Sequence, residues 1–111
     1  VADGFYEWKR IEKEKTPYCF LREDKKLIYI AGIFEEDQFC MITEEASSNV
    51  TEIHHRQPVI LNESDVNKYL NIEISGSNYL KQSQKSKLSF YEISKDVNKP
   101  TNNNISLIQP I

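Results

Sequence analysis

A chain of 111 residues is long enough for one domain with one core, and its 30 Leu, Ile, Val and Phe residues, about 27%, stand above the roughly 20% level at which disorder is expected. Its net charge of −3 excludes a field that would draw the whole molecule onto a polyanion, so any contact with nucleic acid must come from a local patch. No apolar run approaches the ~18 residues of a membrane span and no signal peptide is visible, which makes the cytoplasm, or the nucleus in a eukaryote, the expected compartment.

From Gly4 to Arg10 the odd positions Phe5, Glu7 and Lys9 share one face of a predicted strand while Tyr6, Trp8 and Arg10 share the other. Three apolar or β-branched runs follow, Pro17–Arg22, Leu27–Phe34 and Phe39–Thr43, separated by the polar clusters Glu23–Lys26 and Glu35–Asp37. Hairpin-linked antiparallel strands are the economical reading. Asn49 with Glu52 three residues on resembles a capping box, and Val50 and Ile53 recur at helical spacing, which predicts a short helix running up to Pro58. Ser64 is placed to cap a second helix with Val66, Tyr69 and Leu70 on one face, ending near Asn71. Ser77–Lys87 reads as a polar loop, Leu88–Ile93 as another strand, and the Asn-rich remainder as coil closing on Ile105–Ile111. Cys19 and Cys40 each sit in an apolar run and are expected to be buried thiols, since their spacing suits neither zinc nor a disulfide framework.

Three constellations could carry chemistry. Glu7, flanked by Tyr6 and Trp8, is a carboxylate whose aromatic neighbours can strip solvent from it, the setting in which a carboxyl group exchanges protons near neutrality; the bland alternative is a glutamate on the wet face of an edge strand. His54-His55-Arg56 puts a proton-shuttling imidazole beside a guanidinium able to grip a phosphate. Adjacent histidines on a helix point about 100° apart and cannot both serve one metal, and the alternative is a solvated helix end. Thr43-Glu44-Glu45-Ala46 ends one strand and precedes the predicted helix that carries His54, so it either lines the same pocket or is an acidic loop. Trp8, Tyr6 and Phe34 could stack on bases or serve the core, and Lys81, Lys85 and Lys87 are expected to solubilise their loop.

Taken in order, Ala2-Asp3-Gly4-Phe5-Tyr6-Glu7-Trp8, Ala31-Gly32-Ile33-Phe34-Glu35, Ile42-Thr43 with Ala46, and Ile53-His54-x-Arg56-x-Pro58 resemble the successive signatures of the SOS-response-associated peptidase (SRAP) family. The resemblance runs to Val97-Asn98 and Ile108-Gln109-Pro110, so residues 1–111 are expected to be the C-terminal part of a single SRAP domain whose N-terminal part is missing. It implies an α+β fold, an antiparallel β-rich barrel with short flanking helices, and an abasic-site processing activity in the DNA damage response. In that chemistry an N-terminal cysteine, absent from these residues, forms a Schiff base with the ring-opened sugar of single-stranded DNA and closes it to a thiazolidine. By position Glu7 matches the catalytic glutamate, His54 the histidine that helps open the sugar ring, and Arg56 a phosphate contact, with Thr43 and Trp8 next in line for DNA; no metal or other cofactor is implied. His55, Gln57 and Phe34 stand where the family more often carries an acidic or amide residue, Met and Trp. The other readings are a non-covalent single-stranded nucleic-acid binding module, a peptidase limited to its own N-terminus, and an inactive β-rich fragment.

Overall fold

The computed structural model describes residues 1–71 and 87–111. Most of the predicted loop at Ser77–Lys87, with Lys81 and Lys85, lies outside the described residues.

The longest ladder is the one the sequence announces most clearly. Strand β1 (Gly4–Ile11) turns at Glu12-Lys13 into β2 (Glu14–Arg22), and the two pair antiparallel from Gly4↔Leu21 to Ile11↔Glu14. The other edge of β2 takes β9 (Leu88–Glu92), so the sheet order is β1-β2-β9 with β1 at an edge. Period-two alternation gives this sheet two covered faces. One carries Phe5, Phe20 and Phe90 in register, with ring centroids 5.0 and 5.1 Å apart, and packs on a core of Ile28, Val50, Ile53, Ile60 and Leu88. The other carries Tyr6, Cys19 and Tyr91 and is roofed by the C-terminal segment, where the Tyr91 hydroxyl donates to the Ile108 carbonyl at 2.6 Å and Leu107 is buried.

Gly4 is required by close approach: a Cβ there would run into the Phe20 carbonyl oxygen and lie 2.7 Å from Leu21 Cδ2. Because a strand carbonyl cannot swing aside without breaking its ladder, Gly4→Ala is expected to destabilise the chain by about 2–3 kcal/mol, read as a lowered urea midpoint at unchanged m-value.

The apolar run Leu27–Phe34 does not form one strand. It divides into β3 (Tyr29–Ile30), which pairs with β8 (Ile60–Leu61), and β4 (Gly32–Glu35), which pairs with β5 (Gln38–Met41) in a hairpin of its own. Buried Ala31 marks the switch, giving its N–H to Val59 and its carbonyl to Ile42. A third pair joins β6 (Thr43–Glu45) to β7 (Arg56–Pro58). Among the described residues the strands therefore form four separate sheets of three, two, two and two strands, not a closed barrel.

The expected helix up to Pro58 is a single 3₁₀ turn, Val50–Glu52, and Arg56–Pro58 is strand. Asn49 does not cap: its backbone is already helical, and its side-chain amide donates to the Leu88 carbonyl at 2.7 Å, tying this turn to β9. Ser64 likewise lies inside a 3₁₀ turn, Glu63–Asp65, ahead of the five-residue helix α1 (Val66–Leu70). Val66 and Tyr69 pack on Ala31, Val59 and Leu61, whereas Leu70 faces solvent. The C-terminal stretch is not plain coil but two 3₁₀ turns, Lys95–Asn98 and Ile105–Ile108, capped by the side chains of Ser94 and Asn104.

The two thiols differ from expectation and from each other. Cys19 is 2% exposed, and burial pushes its thiol pKa up; burial likewise pushes the pKa of the adjacent Tyr91 phenol up to about 12. Cys40 is exposed on the β4–β5 hairpin, where Ile33, Phe34, Phe39 and Met41 are also more than half exposed.

Candidate active site

A cleft of about 1030 Å³ opens along the edge strand β1. Glu7, Trp8 and Lys9 line one side of it; the 3₁₀ turn Val50–Glu52 with His54 and His55 lines another, and Val97, Asn98 and Pro100 close it on the Trp8 side. Two of the sequence's constellations, 47 positions apart in the chain, thus face one space.

Their closest approach is between His54 Nδ1 and Glu7 Oε2, 4.0 Å, with the side chains 34% and 25% exposed. A pair this wet contributes no more than about 1 kcal/mol to stability, so folding alone gives little reason to hold it. Each partner is nevertheless anchored. The Glu7 carboxylate accepts the Trp8 backbone N–H at 3.1 Å through its other oxygen. His54 Nδ1 lies 3.1 Å from both the N–H and the carbonyl of Arg56, so the backbone of one residue serves either protonation state: the N–H donates to a bare Nδ1, and the carbonyl accepts from a protonated one. Among the described residues no hydrogen bond engages Nε2, and His54 lines the cleft. The His54 and His55 rings stack with centroids 4.6 Å apart. His55 is exposed and, like His54, lies in an irregular segment rather than on a helix end.

Thr43 and Arg56 meet across β6 and β7. The guanidinium donates from one nitrogen, Nη2, to the Thr43 carbonyl at 2.9 Å and hydroxyl at 3.1 Å, which fixes an exposed Arg56; among the described residues its other nitrogens make no hydrogen bond. Neither residue lines the Glu7–His54 cleft; they stand one strand pair away, beside the segment that carries His54. Trp8 is tethered at its far end, its indole N–H donating to Asn98 Oδ1 at 2.7 Å. Phe34, 84% exposed, lies on the β4–β5 hairpin away from the cleft.

Two supporting residues escaped the sequence. Asn98 stands in the closing segment, and its polar contact with Trp8, 90 positions away, leaves no local signal. Gln57, 7% exposed, accepts the Ser47 N–H at 2.9 Å and the Ser47 hydroxyl at 3.1 Å, and donates to Glu44 at 3.4 Å. A buried amide in a strand is the available clue, because such a group must be satisfied. It pins both ends of the loop that delivers His54. Gln57→Met keeps the volume but orphans the Ser47 N–H, and should lower stability by about 1–3 kcal/mol while broadening the His54 ring resonances in NMR.

Neither cysteine reaches this centre: Cys19 is buried in β2 opposite Tyr6, and Cys40 belongs to the outlying hairpin. Among the described residues no group of three or more His, Cys, Asp or Glu could hold a metal ion, and no helix is long and apolar enough to cross a membrane.

Comparison with known proteins gives this geometry a context. Residues 1–100 match the family model described as SOS response associated peptidase (SRAP). The chain is 33% identical over 126 residues to an abasic site processing protein of Saccharomyces cerevisiae, covering 100% of this chain and 34% of that protein. It is 28% identical over 123 residues to the abasic site processing protein YedK of Escherichia coli, covering 99% and 55%. Among solved structures, a protein from Bacteroides thetaiotaomicron superposes with a TM-score of 0.77 at 24% identity, over 98% of this chain and 54% of that one. That superposition supports the fold alone. The chain spans from a third to about half the length of these relatives.

Proposed function

The chain belongs to the SOS response associated peptidase family, and we propose from that premise that it is the C-terminal part of an abasic-site processing domain which captures abasic sites in single-stranded DNA. The observation that carries this reading is the convergence of Glu7 and His54 in one cleft beside Trp8. Each of the three lies in a segment that carries the family resemblance, and their meeting is of little use to stability.

In the proposed reaction His54 donates the Nε2 proton of its protonated ring to the ring oxygen of the abasic sugar as the C1–O bond breaks, and the anomeric hydroxyl gives up its proton to the Glu7 carboxylate or to water, which leaves the open-chain aldehyde. The remaining Nδ1 proton is then held by the Arg56 carbonyl. The α-amine of a cysteine supplied from outside these 111 residues adds to the aldehyde carbon. Glu7 relays the protons as water leaves to form the imine, and the cysteine sulfur then adds to the imine carbon while the nitrogen takes the thiol proton, closing a thiazolidine. No oxidant, metal or other cofactor is needed for the balance. Arg56, braced by Thr43, holds a backbone phosphate beside the site, and Trp8 offers an indole to the sugar or a neighbouring base.

The test is a denaturing-gel shift with single-stranded DNA carrying one abasic site. It compares this chain, the product of the longest reading frame that contains it, and that product with His54→Ala or Glu7→Gln. Only the longer product should shift, and both substitutions should slow it. A longer product that leaves no adduct would favour a second reading, a non-covalent single-stranded nucleic-acid module, which the absence of a thiol at the Glu7–His54 centre supports for these residues taken alone. Retention of the initiator methionine in the Glu7→Gln product would favour the self-processing peptidase.

A further inference from the structure

The cleft reverses the charge balance of the chain. The whole sequence carries 14 Lys and Arg against 17 Asp and Glu, yet the residues lining the cleft include Lys9, Arg10 and Lys15 against only Glu7 and Glu52, with two histidines besides. The three cations lie at the end of the β1–β2 hairpin, where Arg10 stands directly opposite Lys15 and Lys9 opposite Thr16. The turn between the strands carries Glu12 and Lys13, and Glu14 opens β2, but among the described residues no carboxylate is within ion-pair distance of Lys9, Arg10 or Lys15.

Like charges placed directly across a strand pair destabilise it. Here both members of the Arg10–Lys15 pair lack a carboxylate among the described residues, and both line the cleft that also holds the Glu7–His54 pair. A polyanion laid along the hairpin would relieve that repulsion. Lys9 shares the strand face of Glu7, about 7 Å further on, a step comparable with that between consecutive phosphates of an extended strand, while Arg10 and the opposite Lys15 share the Trp8 face, so that the three cations straddle the hairpin end where it lines the cleft. We propose that Lys9, Arg10 and Lys15 form a phosphate-binding arm that leads the single-stranded DNA backbone out of the cleft along the β1–β2 hairpin. This inference rests on the reading of the cleft as an abasic-site centre and names where the strand runs once it leaves that centre. Arg56, one strand pair away, would hold the backbone on the other side.

The arm makes a graded electrostatic prediction, because each phosphate neutralised on a single strand contributes roughly 0.7 to the slope of log K against log salt. Fluorescence anisotropy of this chain with a labelled ten-nucleotide single strand, carrying a stable tetrahydrofuran abasic analogue, should give a slope that falls by about 1.4 in the Lys9→Gln/Lys15→Gln variant. Lys68→Gln, on α1 and outside the cleft, should leave the slope unchanged. Arg10→Gln should weaken binding and, by removing one member of the repelling pair, raise the thermal midpoint of the free chain by about 1–4 °C; a variant that binds less because it is damaged would melt lower. Binding with a slope indifferent to all three arm substitutions, or no binding by the wild-type chain, overturns the arm. The covalent gel assay judges the abasic-site reading separately: a slope that responds to the arm while the longer product forms no adduct keeps the arm and discards that reading.

Discussion

Replacing Glu7 with glutamine in the longer product is expected to slow covalent capture of abasic single-stranded DNA by about 10²–10⁴-fold, the range attached to loss of a positioned general acid–base group. The substitution is conservative where it should be. A glutamine amide oxygen can still accept the Trp8 backbone N–H that the carboxylate now accepts, so β1 and its ladder have no reason to move. What disappears is the negative charge 4.0 Å from His54 Nδ1 and the ability to take up and release a proton. Single-turnover gel kinetics over a range of pH would show this as a fall in rate with little change in DNA affinity, since Arg56 and Trp8 remain. His54→Ala should act on the same reaction, most strongly on a natural abasic site that must still be ring-opened and least on a substrate already presented as the open aldehyde. Equal effects of the two substitutions on both substrates would contradict the separate roles given to them. A Glu7→Gln product that captures DNA at the wild-type rate would remove Glu7 from the chemistry altogether.

How much of this could be read beforehand depends on whether the deciding contact is local. β1 was legible because period-two alternation and aromatic content act within eight residues, and β9 for the same reason. The helix drawn through Val50 and Ile53 failed because its signature was genuine but its capping residue was engaged elsewhere: the Asn49 amide reaches Leu88, 39 positions on. Arg56–Pro58 then took extended geometry against β6, with the Gln57 amide holding Ser47 across it. The run Leu27–Phe34 looked like one strand since nothing in its composition says that Ile30 will pair with Ile60 and Ile33 with Cys40. For the site, the residue types and family motifs named Glu7, His54, Arg56, Thr43 and Trp8, but their grouping was not available from spacing. The fold brings Glu7 and His54 into one cleft and seats Thr43 with Arg56 on a neighbouring strand pair. Lys9, Arg10 and Lys15 leave no trace in the net charge of the chain, since the repulsion between Arg10 and Lys15 exists only once the hairpin register is set.

The second large effect is on stability. Phe20→Ala is expected to cost about 3–5 kcal/mol, the range for truncating a buried aromatic. Phe20 is fully buried, in the central strand of the only three-stranded sheet among the described residues, and its ring lies between those of Phe5 and Phe90 on the neighbouring strands. The cavity left by truncation has little means of collapsing. Its walls are two rings fixed by the β1-β2-β9 register and the aliphatic cluster of Ile28, Val50, Ile53 and Ile60 beneath. Since domains of this size are stable by only about 5–15 kcal/mol, the variant should melt more than ~12 °C lower, or fail to fold at body temperature. Phe20→Leu, which refills much of the space, should recover a large part of the loss. The same two variants separate packing from chemistry at the site, because Phe5 stacks on Phe20 and lies two residues before Glu7, while Val50 and Ile53 lead into His54. If the Glu7–His54 geometry depends on this core, Phe20→Leu should retain folded circular dichroism and lose capture rate in proportion to the disorder introduced at β1. A Phe20→Ala chain that melts within a few degrees of wild type would mean that the aromatic layer is not what holds the edge strand in place.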